Sequence, residues 1–414
     1  MSSPPLAGLK VLELARILAG PWAGQVLADL GAEVIKVERT GAGDDTRGWG
    51  PPFIEGEAGE PLDSAYYHSC NRGKRSIAVD FERSAGQEIV RRLAKDADVL
   101  IENFKVGGLA KYRLDYQSLA AVNPRLVYCS ITGFGQDGPY AHRAGYDFMI
   151  QGMGGIMDLT GAPGGEPMKI GVAMADIFTG LYGVVAIQAA LAARERTGQG
   201  QHVDMALLDT QVSVLANQGV GYLVSGTPTT RMGNAHPNIV PYQVFPTADS
   251  HIIIAAGNDR QYADVCKILG LLELATDARF VTNANRVRNR DVLMPLLLAP
   301  VAKMTKADLL SRLEAANVPA GPINNLAEVF ADPQVLARRL RLDLPSTGAA
   351  AGAVPSVRTP IMLSRTPLNY ERAAPRHGEH TAEVLAAIGY SQAEIAGFAA
   401  ARAIDLPAAK DVKP

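Results

Sequence analysis

The chain has 414 residues, 47% of them hydrophobic, and a formal charge of −2. That is enough apolar material for a large core and more than one domain. The near-neutral balance argues against a charge-driven nucleic-acid or anionic-membrane partner.

Cys70, Cys129 and Cys266 are widely spaced and form no CxxC pair. This fits a reducing, cytoplasmic setting better than a disulfide framework or a zinc site. The first ten residues show neither an apolar h-region nor an Arg-rich amphipathic pattern, so no signal or transit peptide is expected.

In chain order, residues 10–14 predict a strand and residues 23–30 a helix, with Pro21 near its start. Residues 32–37 predict the next strand. Residues 84–95 predict a helix with Ile89, Val90, Leu93 and Ala94 on one face, and residues 98–101 and 125–131 two further strands. This β-α-β rhythm predicts a parallel sheet covered by helices, with ligands at the carboxyl ends of the strands. The apolar run 181–193 contains Gln188 and is too short to span a bilayer; it reads as a buried helix, with no membrane partner. Residues 205–224 look helical, and 226–233, rich in Gly, Thr and Pro, read as a linker. A second unit follows, with a strand at 250–255 and helices near 261–269 and 306–316. Beyond Leu340 the composition turns to Gly, Ala, Pro and Ser, before a last helix at 381–388. His377-Gly-Glu-His380 has no third ligand cluster nearby, so no metal is expected.

Asp176 lies among small and apolar residues, with no Lys, Arg or His within six positions. A carboxylate so placed is either the N-cap of a starting helix or a partly desolvated, reactive nucleophile. Local sequence alone favours the cap. An NAD-dependent oxidoreductase would place an acid such as Glu38 after strand two and a G-x-G-x-x-G turn after strand one. The chain instead has Ala19-Gly-Pro-Trp-Ala-Gly24, with Pro21 and Trp22 where a pyrophosphate needs glycine. That reading is weak.

A different reading comes from Leu14-Ala-Arg-Ile-Leu-Ala-Gly-Pro21, the segment Leu27 to Arg39, Lys74-Arg-Ser-Ile77 and Ile101-Glu-Asn-Phe104. It continues through Gly133-Phe-Gly-Gln-Asp-Gly-Pro139, Ala144-Gly-Tyr-Asp147, Thr160-Gly161, the Asp176 segment and Gly378-Glu-His-Thr381. This ordered series resembles the class III CoA-transferases, a family that also includes an α-methylacyl-CoA racemase branch.

The resemblance implies an α/β fold in which a large Rossmann-like parallel-sheet domain accompanies a smaller α+β domain in an interlocked homodimer. Residues 1–225 would be the N-terminal part of the large domain. Residues 226–335 would be the small domain with its entry linker, and 336–414 the return linker and the C-terminal part of the large domain.

The resemblance makes Asp176 the nucleophile and gives the CoA contacts to Arg16, Ala19, Arg39, Asn103, Phe104, Lys111 and Arg143. Asn103 and Phe104 would lie beside the adenine. Arg47, Tyr146, Arg231 and His236 are the candidates for the carboxylic acid substrate. The substrates would be an acyl-CoA and a small carboxylic acid, with succinyl-CoA as donor and a diacid such as glutarate as acceptor. Coenzyme A is then a substrate, and no tightly bound cofactor is implied. Tyr146 stands where the racemase branch has His. Where the family often has Lys after the Lys74-Arg-Ser-Ile77 strand, the chain has Glu82 and Arg83, so either Arg83 substitutes or that contact is absent.

Overall fold

The computed structural model describes residues 3–407. They cluster into two units. The first takes in the chain up to Ile156, Ile170–Ser225 and the chain from Arg338 onward; the second takes in Met157–Lys169 and Gly226–Ala337. Residues 157–169 thus join the second unit, although they lie inside the stretch assigned from sequence to the large domain.

The first unit is built on a seven-stranded sheet. Its strands and principal helices are β1 (Lys10–Glu13), α1 (Ala19–Asp29), β2 (Glu33–Glu38), β3 (Arg75–Val79), α2 (Ser84–Lys95), β4 (Val99–Glu102), β5 (Val127–Thr132), α3 (Asp147–Met153), α4 (Met174–Thr197), β6 (His202–Ala206), α5 (Thr381–Ala387), α6 (Gln392–Ala400) and β7 (Ile404–Asp405). The strand order is β7-β3-β2-β1-β4-β5-β6. Six strands are parallel, and β7 closes one edge antiparallel to β3.

Strands β1 and β4 carry Val, Leu and Ile buried on both faces, and β5 buries Val127, Cys129 and Ile131 on one face and Tyr128 on the other, as a helix-covered parallel sheet requires. One layer packs α1 and α4 through Ala23, Leu27, Ala175 and Ile187; the other packs α2 and α5 through Ile89, Leu93, Val384 and Leu385. Strand order reverses at β1 and β4, where open α/β sheets form a crevice beyond the strand ends.

Three expectations change. The stretch expected to be helical from Met205 begins instead inside β6, whose Val203 and Ala206 are buried, and its helical part breaks into Leu207–Ser213 and Ala216–Ser225. Helix α4 is longer than the apolar run suggested, 24 residues, and by length and composition it could cross a membrane. It is buried along only one side, through residues such as Gly183, Ile187 and Leu191, while Leu181, Tyr182 and Val185 are exposed. A further helix, α6, follows the last expected one, with Ser391 and Glu394 forming a capping box.

The second unit holds a three-stranded antiparallel sheet in the order Ala320–Pro322, His251–Ala255, Tyr242–Pro246. Helices that include Asp259–Ile268, Arg290–Val301 and Lys306–Ala315 pack on it around Phe245, Ile254, Leu293 and Leu309.

Candidate active site

The crevice at the β1/β4 reversal is a cleft of about 790 Å³ in the first unit. Its lining includes Arg16, Ala19, Arg39, Asn103, Phe104, Lys111, Arg143, Tyr146 and Asp176. Residues from across 160 positions of chain therefore meet in one space.

The loop from β1 to α1 forms one wall and is held from below by charge. Fully buried Lys36 donates to the Ala15 carbonyl at 2.7 Å and pairs with Glu13 at 3.1 Å and Asp44 at 2.9 Å. Burial works against its charge, but Asp44, Glu13 and Glu38 outweigh burial and raise its pKa. Asp44 accepts the backbone N–H of Ile17. Ile17 needs such an anchor, because its φ of 73° is costly for a β-branched residue.

Asn103 clamps the same loop from above. Its Oδ1 accepts Arg16 N–H at 3.1 Å and its Nδ2 donates to Arg16 O at 2.7 Å. The amide expected beside the adenine thus also shapes the loop, while still lining the cleft.

Asp45 bridges two arginines at the cleft, 2.8 Å from Arg16 Nη1 and 2.7 Å from Arg39 Nη2. Both guanidiniums remain about half exposed, with donors left for an anion. Phe104 lies edge-on to Phe81, which meets Tyr112 in the same way, so three rings gather where Lys111 sits over Tyr112. Arg143 lies over the rings of Tyr140 and Phe134. Glu82 lines the cleft and accepts from the Tyr112 hydroxyl, whereas Arg83 turns to Asp80 at 3.0 Å.

Asp176 is the third residue of α4, not its cap: the N-cap position belongs to Ala173. Capping comes from another helix, for Asp147 Oδ1 accepts the N–H of Ala175 at 2.8 Å and of Asp176 at 3.3 Å. Burial, and then the charge of Asp147, push the Asp176 carboxyl up to about 7. The helix N-terminus favours the anion, but here these two effects prevail. One turn on, a Cβ at Gly180 would stand 2.6 Å from the Ala19 carbonyl oxygen and 3.3 Å from Trp22. Only glycine lets α4 approach the start of α1 this closely, which brings Asp176 and Ala19 to one cleft.

Three expected site residues are not among those lining this cleft. Arg47 is a correction: it is buried, bound to Glu38 at 2.7 Å, to Asp63 at 2.6 Å and to the Tyr67 hydroxyl, so its donors are spent inside the protein. Arg231 and His236 belong to the second unit. Arg231 Nη1 donates to Asp158 Oδ1 at 2.6 Å, while its buried Nε has no hydrogen-bond partner. His236 packs against Tyr242. The two motif histidines brace the fold, His380 at Ser76 N–H and His377 at the Arg39 carbonyl.

Residues 6–381 match the family model described as CoA-transferase family III. The chain belongs to that family. It is 59% identical over 383 residues to a succinate–glutarate CoA-transferase of Agrobacterium fabrum, covering 92% of this chain and 95% of that protein. It is 44% identical to the human succinyl-CoA:glutarate CoA-transferase, covering 92% of this chain and 85% of that one. A crystal structure of a CAIB/BAIF family protein from Brucella suis superposes with a TM-score of 0.83 at 59% identity, over 94% of this chain and 100% of that one. As a member of CoA-transferase family III, the protein is an enzyme, a CoA-transferase.

Proposed function

We propose that this CoA-transferase moves coenzyme A from succinyl-CoA to glutarate or a closely related diacid, with Asp176 as covalent carrier. The observation that carries the reading is the enclosed carboxylate of Asp176 in the same cleft as the half-exposed cations Arg16 and Arg39. The names of the relatives at 59% and 44% identity support the substrate pair.

The chemistry is a chain of acyl transfers. Asp176 attacks the thioester carbonyl, giving a mixed anhydride and CoA thiolate. The thiolate attacks the Asp176 carbonyl, forming an aspartyl-CoA thioester and releasing succinate. A glutarate carboxylate then attacks that thioester and expels the thiolate, and the thiolate takes the glutaryl carbonyl and frees Asp176. No net proton is consumed. Because anhydrides hydrolyse readily, water has to be kept out while they exist.

Arg16, Arg39, Lys111 and Arg143 supply positive charge for the CoA phosphates, Phe104 an apolar face for the adenine, and Ala19 the wall along the pantetheine arm. With Arg47 committed to the core, Arg231 is the candidate partner for the far carboxylate of a diacid. The likeness of its loop to the family supports that role, since a buried carboxylate needs a charged, hydrogen-bonding partner. His236 is a helper, and exposed Tyr146 borders the acyl end. CoA enters and leaves as a substrate. The working form is an interlocked homodimer in the cytoplasm, the latter in keeping with three unpaired buried cysteines.

The test is to incubate the pure protein with succinyl-CoA and a panel of carboxylic acids and identify the new thioesters by mass spectrometry. Glutaryl-CoA as the dominant product supports the reading; preference for a monocarboxylate such as butyrate refutes it.

A further inference from the structure

We propose that Asp147 is a positioning residue for the reaction: its carboxylate, reaching from α3, sets both the place and the reactivity of Asp176. The inference rests on the reading of Asp176 as nucleophile.

The geometry begins at a helix that its own N-cap residue does not cap. Four N–H groups at a helix start have no partner within the helix, and the residue at the N-cap of α4, Ala173, has no side chain able to take one. Asp147 Oδ1 takes two of them, those of Ala175 and Asp176 itself. Its other oxygen, Oδ2, accepts Gln151 Nε2 at 2.7 Å. Gln151, one turn further along α3 and fully buried, accepts the N–H of Ile170 at 2.9 Å and donates to Val172 O at 3.3 Å. Asp147 and Gln151 therefore brace the whole approach to the nucleophile, from Ile170 to Asp176, against α3. A carboxylate attacking a thioester has to be held close to its attack geometry, and such bracing serves that end.

The second consequence is electrostatic. A like charge beside an ionised carboxylate disfavours its charged form. After burial, Asp147 is the charge that pushes Asp176 up toward 7. A more basic carboxylate is the better nucleophile, provided it remains ionised at working pH.

Other groups around α4 are neutral, distant or engaged. Tyr66, on the helix Ala65–Ser69, feels Asp176 and Asp147, but burial first and these charges next push its hydroxyl up to about 12, so it is neutral. On α1, Asp29 is bound to Arg72. Tyr128 and Cys129 of β5 are buried and their pKa values raised. On β6, His202 meets Ser130, and Asp204 accepts from Gln136. Asp209 of Leu207–Ser213 is exposed. On α4 itself, Tyr182 is exposed and Arg194, Glu195 and Arg196 lie at the far end.

Two variants separate position from charge. Asp147→Asn keeps an oxygen for the α4 N–H groups and removes the charge; Asp147→Glu keeps the charge and displaces the carboxylate by one methylene. The readouts are the pH profile of kcat/KM, the KM for succinyl-CoA and the rate at which hydroxylamine traps the acylated enzyme. We expect Asp147→Asn to move the acidic limb down by roughly one pH unit, with KM changed less than threefold. Asp147→Glu should keep the limb near that of wild type while trapping slows about tenfold or more. An unmoved limb in the Asn variant, or wild-type trapping in the Glu variant, overturns the proposal. If the Asn variant fails to fold, the trapping rate of the Glu variant decides. Full activity in Asp176→Asn, measured alongside, would remove the nucleophile reading itself, which is a different result from either failure at Asp147.

Discussion

Arg47 donates twice to the buried carboxylate of Glu38, at 2.8 Å through Nε and 2.7 Å through Nη2. Burial alone would raise the Glu38 pKa, but Arg47, helped by Lys36 and Ser76, reverses this and holds it down at about 2. The sign follows: a depressed acid adds stability that is full above its ordinary pKa of 4.5 and is lost as pH falls toward about 2. Arg47→Ala would leave Glu38 as an uncompensated buried charge. We expect it to lower unfolding free energy at neutral pH by about 3–5 kcal/mol, the usual cost of breaking a buried pair. Urea unfolding measures this. The glutarate-to-butyrate ratio of the remaining folded enzyme should not change, which would separate a structural Arg47 from the substrate contact expected from sequence.

Arg231 is the residue expected to carry diacid preference. Arg231→Ala should reduce kcat/KM for glutarate by roughly 30- to 5000-fold, as removing one member of a buried charge pair does, and leave butyrate within a few fold. Steady-state kinetics with both acids makes the comparison. An unchanged ratio would remove Arg231 from the acyl pocket.

As the proposed nucleophile, Asp176 must be ionised to attack, and its carboxyl is pushed up to about 7. The value of kcat/KM should therefore rise as pH increases through about 7 and level off above it. A profile already flat from pH 5 to 8 would show that Asp176 titrates as an ordinary carboxyl group.

How much of this was legible in sequence depends on the range of the forces involved. The Val/Leu/Ile runs of β1, β4 and β5 and the amphipathic face of α2 are local patterns, and both element type and position were read from them. Strand β6 has no local boundary in the sequence, because its Val203, Met205 and Ala206 run into an apolar helix with no turn residue between. Ser391-Gln-Ala-Glu394 is a capping-box signature that was there to be read before α6. In the site, the cleft-lining positions came from a resemblance that ordered motifs along the chain. The supports did not. Lys36 and Asp44 under the Ala15–Ile17 loop, Asp45 between Arg16 and Arg39, and Asp147 beneath Asp176 act across the fold, where spacing in sequence gives no signal. Arg47 misled for the same reason: from its loop sequence nothing distinguishes an arginine bound for Glu38 and Asp63 from one facing a substrate.

Transfer without racemisation is also expected. Tyr146, where the racemase branch has His, is 68% exposed, and a phenol is a poorer general acid/base than an imidazole at neutral pH. A 2-methylacyl-CoA incubated with the enzyme in deuterated water should take up no α-deuterium. Rapid uptake would point to the racemase chemistry instead.

The covalent role of Asp176 is tested most directly by trapping. Wild-type enzyme incubated with succinyl-CoA, quenched with hydroxylamine and digested should yield a hydroxamate at Asp176 by mass spectrometry. Asp176→Asn should fold, bind CoA, give no such label and lose transfer activity by on the order of 10⁴-fold or more, as removal of a covalent nucleophile does. A label on any other residue, or near-normal transfer by Asp176→Asn, would contradict the account.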